Sequence, residues 1–405
     1  MSKVIIVRNS EVLPSDQNGR LWRSGLMVRS LKQAGVEYEW MISSFDHYNK
    51  IQRPQNEAGR NSEEAGLTLI PSPGYRNNIS LRRLFDHIVF SVRLFKHLVR
   101  QNDTEIVVVS YPTVESAFIV TLVSKIRSFK VVVDIRDLWP DNLYDGKGWR
   151  VALLKVIASP WIFMRGYTLR NANQILVANK GYSQWAKSNG SKVEPFILKI
   201  PYLDRASATT GRSSESLLKR LAGSDRVTVA FGGALGVTIY DFSPFLHALH
   251  QGELDEYDFH IFGDGPKLSS LKAACNGFAN VRFHGRVSPD ELKSIYQCVD
   301  VLFAPYKNSV NFYDHFTNKF AEYACAGKPI FWRELGAPTD LLRDYRAGRG
   351  FSENDFSEQL RLLVKDIQIG AVSSENVRIM FEREFSYDVF SKRFLEFVLR
   401  VRNAD

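Results

Sequence analysis

The sequence predicts an α/β protein built from two doubly wound halves, each a parallel sheet covered by helices. Three observations predict it. The chain opens as a β-loop-α-β unit. A second β/α series begins after Asp204–Asp225, a stretch rich in Ser, Thr and Gly that reads as a linker. The 405 residues are 44% hydrophobic and 24% charged, an ordinary globular composition with length for two domains.

The elements follow in order. Val4–Val7 is an apolar run of strand length, followed by the loop Asn9–Asn18. Gly19 precedes a helical pattern over Leu21–Gln33, which Gly35 closes, and Tyr38–Ile42 is the second strand. Further strands are expected at Ile106–Ser110, Lys130–Ile135 and Gln174–Ala178, with helical patterns over Ser80–Arg100 and Val114–Arg127. In the second half Arg226–Gly232 is a strand, then a Gly-rich turn and the helix Ser243–Leu249. Strands at Phe259–Phe262, Val281–Phe283, Val301–Ala304 and Pro329–Trp332 alternate with helices. Ser386–Arg402 is amphipathic, with Phe390, Phe394, Phe397 and Val398 at helical spacing. No solenoid repeat is evident. In such sheets ligands bind at the carboxyl ends of the strands.

Composition removes several classes. Cys275, Cys298 and Cys325 show no C-x-x-C and no paired spacing, so they read as buried thiols of a reducing compartment rather than a disulfide frame or metal site. The opening MSKVIIVRNSEV is too short an apolar run for a secretion signal, and no run of 18 uncharged apolar residues spans a bilayer. Charge is uneven: residues 1–205 hold 29 Lys and Arg against 18 Asp and Glu, and residues 206–405 hold 24 against 26. A basic half implies an anionic surface, and both nucleic acid and anionic lipid qualify on charge alone. The aromatics fall in helical stripes rather than interleaving with basic residues on a sheet, which argues against nucleic acid.

The most informative segment is Asp314-His-Phe-Thr-Asn-Lys-Phe-Ala-Glu322, continuing through Gly327-Lys328-Pro329. Thr317 suits a helix N-cap, Gly327 its C′ position, and Pro329 lies just beyond. A helix start offers free N–H groups and about half a positive charge, which suits a diphosphate. Lys319 adds a full charge, and Glu322 shares its face at i+3. An ionised carboxylate only accepts hydrogen bonds, so Glu322 suits the hydroxyls of a ribose or sugar. The plain alternative is an amphipathic core helix ending in a Gly-Lys-Pro turn.

This segment resembles the Glu-x7-Glu signature of the retaining glycosyltransferases of family 4, which have the GT-B fold. The first acid is here an Asp, one methylene shorter. The resemblance implies two Rossmann-like domains facing a central cleft, 1–205 for the acceptor and 206–385 for the nucleotide sugar. It also implies a final helix, 386–405, that crosses back to the first. Gly232-Gly233-Ala-Leu-Gly236 stands where Gly233 and Gly236 would meet the donor diphosphate, although a plain βα turn fits equally. Many members carry an Arg and a Lys shortly after this turn. This chain has Val237-Thr-Ile-Tyr-Asp241, so the charge is expected from Lys319 first and Lys307 second.

Phe262-Gly263-Asp264-Gly265-Pro266 resembles the family's Gly-x-Gly-Pro turn, with Gly263 and Gly265 shaping the nucleotide pocket. His284-Gly285-Arg286-Val287 resembles the strand end that reads the base, although His284 is equally read as structural. Thr317 and Asn318 complete the donor set. In the first half, Asp134-Ile-Arg136-Asp137-Leu-Trp-Pro140 resembles enzymes of bacterial O-antigen and capsule assembly, with Asp137 steering the acceptor hydroxyl. The Arg–Asp pair is equally a structural ion pair. Gly19, Arg20, Arg23, Asp46, His47 and Arg136 are expected on the acceptor side.

The resemblance implies transfer from a nucleotide-diphosphate sugar to a saccharide or lipid-linked acceptor. It implies no cofactor or metal beyond that co-substrate, and no nucleic acid. Ser80–Arg100 and Trp149–Arg170 mix Arg and Lys with Trp, Phe and Leu, as an interfacial helix needs. The expected location is therefore cytoplasmic, peripheral at the anionic face of the inner membrane. Two other readings remain: a nucleotide-sugar epimerase on the same fold, whose His-Arg-Glu signature is absent, and a non-catalytic basic nucleic-acid binder.

Overall fold

The structure is a computed structural model describing residues 3–16, 21–54, 65–78, 80–141, 148–203, 217–219, 221, 223–236, 239–308 and 314–404. The chain divides into two compact units, Met1–Lys199 with Phe390–Asp405, and Ile200–Val389. Most of the expected linker Asp204–Asp225 lies outside the described residues.

The first unit's strands are β1 (Lys3–Arg8), β2 (Tyr38–Ser43), the short β3 (Phe45–Asp46) and β4 (Ile51–Gln52), β5 (Leu67–Ile70), β6 (Thr104–Tyr111), β7 (Lys130–Ile135), β8 (Gln174–Val177) and β9 (Phe196–Ile197). Seven of them form one parallel sheet in the order β5-β2-β1-β6-β7-β8-β9, while β3 and β4 pair antiparallel. Val4–Val7 and Val131–Val133 are buried on both faces. That burial is why these strands read as unbroken apolar runs rather than alternating ones.

Ser80 caps the helix Leu81–Leu98 by accepting from the Arg83 amide. Its inner face buries Phe90, Leu94 and Leu98 at i, i+4 and i+8, while Leu81, Phe85, Ile88 and Val92 stay exposed. The expected continuous segment Trp149–Arg170 is two helices, Trp149–Ile157 and Ser159–Asn171. The break falls where Pro160 occupies the first turn of the second helix, the position proline tolerates.

The final helix, Tyr387–Asn403, packs on the first unit as expected. Phe394, Phe397 and Val401 are buried, and Phe397 meets Phe196 at 5.1 Å between ring centroids. Lys130 donates to the carbonyl oxygens of Val401 and Arg402, placing a cation at the negative end of the helix dipole.

The second unit holds β10 (Val227–Gly232), β11 (Tyr257–Phe262), β12 (Val281–Gly285), β13 (Val301–Ala304), β14 (Ile330–Arg333) and β15 (Gly348–Phe351). They form a parallel sheet in the order β12-β11-β10-β13-β14-β15. Its core is aromatic, with Phe231, Phe245, Phe259 and Phe303 all buried. Because all strands run one way, the carboxyl ends of β10, β11, β13 and β14 share one edge. Among the described residues no helix is long and apolar enough to cross a membrane.

Candidate functional site

The site in the second unit is built at that edge. Thr317 has an extended backbone and its hydroxyl oxygen accepts from the Phe320 amide at 3.4 Å, starting the helix Asn318–Ala326. The Tyr306 hydroxyl donates to the same Thr317 oxygen at 2.9 Å, which fixes the cap to the end of β13. Gly327 ends the helix in the left-handed conformation the sequence requires. The N–H groups of the first turn have no acceptor within the helix.

Lys319 and Glu322 project from this helix. The Lys319 ammonium is buried and turned inward, donating to the carbonyl oxygen of Gly232 at the end of β10. It lies over the rings of Phe231 and Tyr323, 5.7 and 5.3 Å from their centroids. Burial lowers its pKa from the ordinary lysine value, and Glu322, 3.9 Å away, opposes that shift. The Glu322 carboxylate remains 26% exposed. Asn318 is exposed.

The glycine turns interlock through backbone. The Gly233 amide donates to Phe262 at 2.9 Å, the Leu235 amide to Asp264 at 2.9 Å, and the Gly263 amide to Gly285 at 2.6 Å. Gly263 has φ +133°, and a Cβ there would lie 1.9 Å from the Gly233 carbonyl oxygen. At Gly265, with φ +150°, it would lie 2.6 Å from the Leu235 oxygen. Only glycine permits this approach. A Cβ on Gly233 would meet the Lys319 side chain at 3.1 Å, whereas one on Gly236 would make only ordinary contact with Ile239 at 3.8 Å. The structure thus brings Gly233, Gly263, Gly265, Thr317, Lys319 and Glu322 together.

The remaining donor-side residues have partners of their own. Asp314 has φ +58°, and its carboxylate accepts from the Ala337 amide at 2.7 Å, tying its loop to the start of the helix Ala337–Asp344. His284 pairs with His260 at 3.0 Å and stacks on Phe262 at 4.4 Å. Arg286 is exposed, Val287 packs on the core, and Lys307 is exposed. Within the Val237–Asp241 segment, Val237 and Thr238 lie outside the described residues.

In the first unit Gly19 and Arg20 also lie outside the described residues. Arg23 is buried, bonded to Asp134 at 3.1 Å and to the carbonyl oxygen of Leu198 at 2.8 Å. Arg136 bonds Asp134 at 2.6 Å and Glu11 at 3.0 Å. Asp46 is fully buried and accepts from the Tyr48 and Asn49 amides. His47 meets the Tyr75 hydroxyl at 2.5 Å, and its pKa falls to about 4 through burial and the nearby Lys50. The Asp137 carboxylate accepts from the Leu138 amide at 2.6 Å.

Sequence reading missed Tyr296 and Tyr323, which also hold the Gly232 turn. The Tyr296 hydroxyl donates to the Gly232 oxygen at 3.3 Å, and the Gly232 amide donates to the Tyr323 oxygen at 3.4 Å. Tyr323 stands four residues after Lys319, on the same helix face, and that spacing was the available signal. Glu11 and Arg8 were missed as well, because nothing local marks the residues that follow a first strand.

Residues 226–366 match the family described as glycosyl transferases group 1. No curated protein matches the chain by sequence. Among solved structures it is similar to sucrose-phosphate synthase from Thermosynechococcus elongatus, with 13% identity, a TM-score of 0.71 and all of both chains covered. Anabaena HepE in complex with UDP is 11% identical with a TM-score of 0.68, covering 99% of this chain and 100% of that one. The lipopolysaccharide outer core galactosyltransferase WaaB is 14% identical with a TM-score of 0.63, covering 99% of each. The family match thus falls within the second unit, and the chain as a whole has the GT-B fold.

Proposed function

We propose that this protein transfers a sugar, with retention, from a nucleotide-diphosphate donor to a saccharide or lipid-linked acceptor of bacterial surface polysaccharide assembly. The observation that carries the reading is the Thr317-capped helix start, locked through Lys319 to the Gly232–Gly233 turn. The helix N–H groups and the turn supply fixed positive ends of dipoles where charge develops on the leaving diphosphate. That stabilisation needs no reorganisation during the reaction. Glu322 is the partly exposed acid of the cluster and holds donor hydroxyls. The leaving phosphate takes the acceptor's proton, with Asp137 steering the hydroxyl.

HepE was solved with UDP and with UDP-glucose, which supports testing uridine donors first. The first unit docks at an anionic membrane surface. The support is the helix Trp149–Ile157, where Trp149, Leu153, Val156 and Ile157 are at least half exposed beside the exposed Lys155.

A thermal-shift panel of UDP-, GDP- and dTDP-sugars tests the donor reading. Donor at 100 times its dissociation constant adds about 2.7 kcal/mol of stability. Glu322→Ala should then keep the fold and lose transfer. No shift with any nucleotide sugar, or full transfer by Glu322→Ala, would count decisively against it.

A further inference from the structure

A group of charged side chains in the first unit is out of balance. Arg8 ends β1, and Asp134 and Arg136 lie at the end of β7, at the carboxyl edge of the sheet where ligands bind. Arg23 begins the helix Arg23–Gln33. One oxygen of Glu11 accepts from the amides of Ser24 and Gly25, at 3.0 and 3.3 Å, and so occupies the start of that helix. Its other oxygen lies 3.0 Å from Arg136 and 3.7 Å from Arg8. Asp134 lies 3.0 Å from Arg23 and 2.6 Å from Arg136.

Three guanidinium groups therefore face two carboxylates. The helix start adds about half a further positive charge. Arg53, with Asp16 and Asp46, forms a separate group that meets this one through the Glu11 backbone carbonyl.

The carboxylates are sealed, with side chains 2% and 0% exposed at Glu11 and Asp134. Arg8 and Arg136 are the members that reach solvent, at 19% and 14%. The Nη2 of Arg136 is itself buried and has no hydrogen-bond acceptor among the described residues. Burying uncompensated charge is costly, and buried guanidinium N–H groups are normally satisfied. A water molecule supplies an acceptor but no charge. An oxyanion supplies both, and a planar guanidinium fork matches it. Burial and the facing Arg136 also lower the Arg8 pKa to about 10, the direction an added anion would reverse.

We infer that Arg8 and Arg136 bind a phosphate-type oxyanion of a reactant at the carboxyl edge of the first unit. This rests on the glycosyltransferase reading for which reactant it is. The chemistry that fits is the diphosphate of a lipid-linked acceptor.

The experiment is calorimetric titration of the full chain with inorganic pyrophosphate, with and without saturating UDP. UDP occupies the second unit's site, so pyrophosphate binding that persists belongs to the first. The expected result is persistent binding that weakens at least tenfold in Arg136→Gln and in the more exposed Arg8→Gln, with partial recovery in Arg136→Lys. Competition by UDP in place of persistence puts pyrophosphate in the second unit's site and overturns the inference. Circular dichroism establishes that each variant folds, and Arg8→Gln carries the test if Arg136→Gln does not. Absence of pyrophosphate binding, or equal affinity in wild type and the folded variants, overturns the inference. Failure of the donor panel leaves this readout intact, so the two readings fail separately.

Discussion

Lys319 donates its ammonium hydrogen to the carbonyl oxygen of Gly232, joining two residues 87 positions apart in the chain. The bond fastens the helix that would face a diphosphate to the turn that would cradle it. A cation expected to point at the phosphate is instead held against a carbonyl dipole and two aromatic rings. Its full charge still lies within the site, and its position is fixed before any ligand arrives.

Lys319→Met removes that charge and keeps most of the side-chain volume. Tyr296 still donates to the Gly232 oxygen, so the fold should persist. Affinity for a nucleoside diphosphate should fall at least tenfold, measured by calorimetry. The variant also isolates a pH effect. The folded pKa of Lys319 lies below the 10.5 of free lysine. Between the two values the unfolded chain holds the extra proton, so raising pH favours the folded state. Wild type should therefore gain stability relative to Lys319→Met as pH rises toward 10.5, read by urea unfolding.

Gly263→Ala tests the backbone interlock. Its φ of +133° disfavours any side chain, and the new Cβ would fall 1.9 Å from the Gly233 oxygen. Two strands must separate to admit it, at a cost of about 2–4 kcal/mol. Gly166→Ala is the contrast: it sits in the helix Ser159–Asn171 with nothing within 4 Å of a Cβ. That change should stabilise by about 0.5–1 kcal/mol through helix propensity and a stiffer unfolded chain. Equal behaviour of the two in chemical denaturation would refute the interlock.

These contrasts show why parts of the fold were legible and others were not. Val4–Val7 and Lys130–Ile135 could be read because strands buried on both faces must be continuously apolar. The edge strands β5, β9 and β15 were missed. They are short or rest on Gly348-Arg349-Gly350, which carries no strand signal without its partner Ile330–Trp332. Thr317 and Gly327 were legible because capping is local chemistry. The direction of Lys319 was not, since its acceptor arrives from another strand. Nor was the role of Asp314 in holding the Ala337 amide, because the helix it meets lies 23 residues on. Glu11 is the extreme case, since its partners Ser24 and Arg136 come from two other elements.

The exposed helix Trp149–Ile157 should bind vesicles containing anionic lipid. Trp149 is 72% exposed, Val156 68% and Phe163, on the next helix, 68%. Inserting one such side chain is worth about 1.5–3 kcal/mol when fully buried. Leu153→Glu with Val156→Glu should lower vesicle affinity at least tenfold in co-sedimentation, and added salt should weaken wild type. Unchanged binding in the double variant, or none in wild type, would remove the membrane from the proposed function.

Asp134 should contribute to the acid limb of stability in the first unit, alongside Glu39, which is also held at about 2. Burial alone would raise the Asp134 pKa, but Arg23 and Arg136 hold it at about 2 against 3.8 for a free aspartate. Above the unfolded value the folded state keeps the full benefit of the ionised group. As pH falls through 3.8 toward 2 the unfolded chain takes up the proton first, and the benefit is lost. The shift corresponds to about 2 kcal/mol. Asp134→Asn leaves Arg23 and Arg136 with an uncompensated surplus, so it should destabilise at pH 7 by about 3–5 kcal/mol. Its remaining stability should change less between pH 5 and pH 3 than that of wild type, measured by urea unfolding at each pH. Parallel acid limbs for the two proteins would mean that the Arg23–Asp134–Arg136 network contributes no proton linkage, and that another carboxylate carries the acid sensitivity.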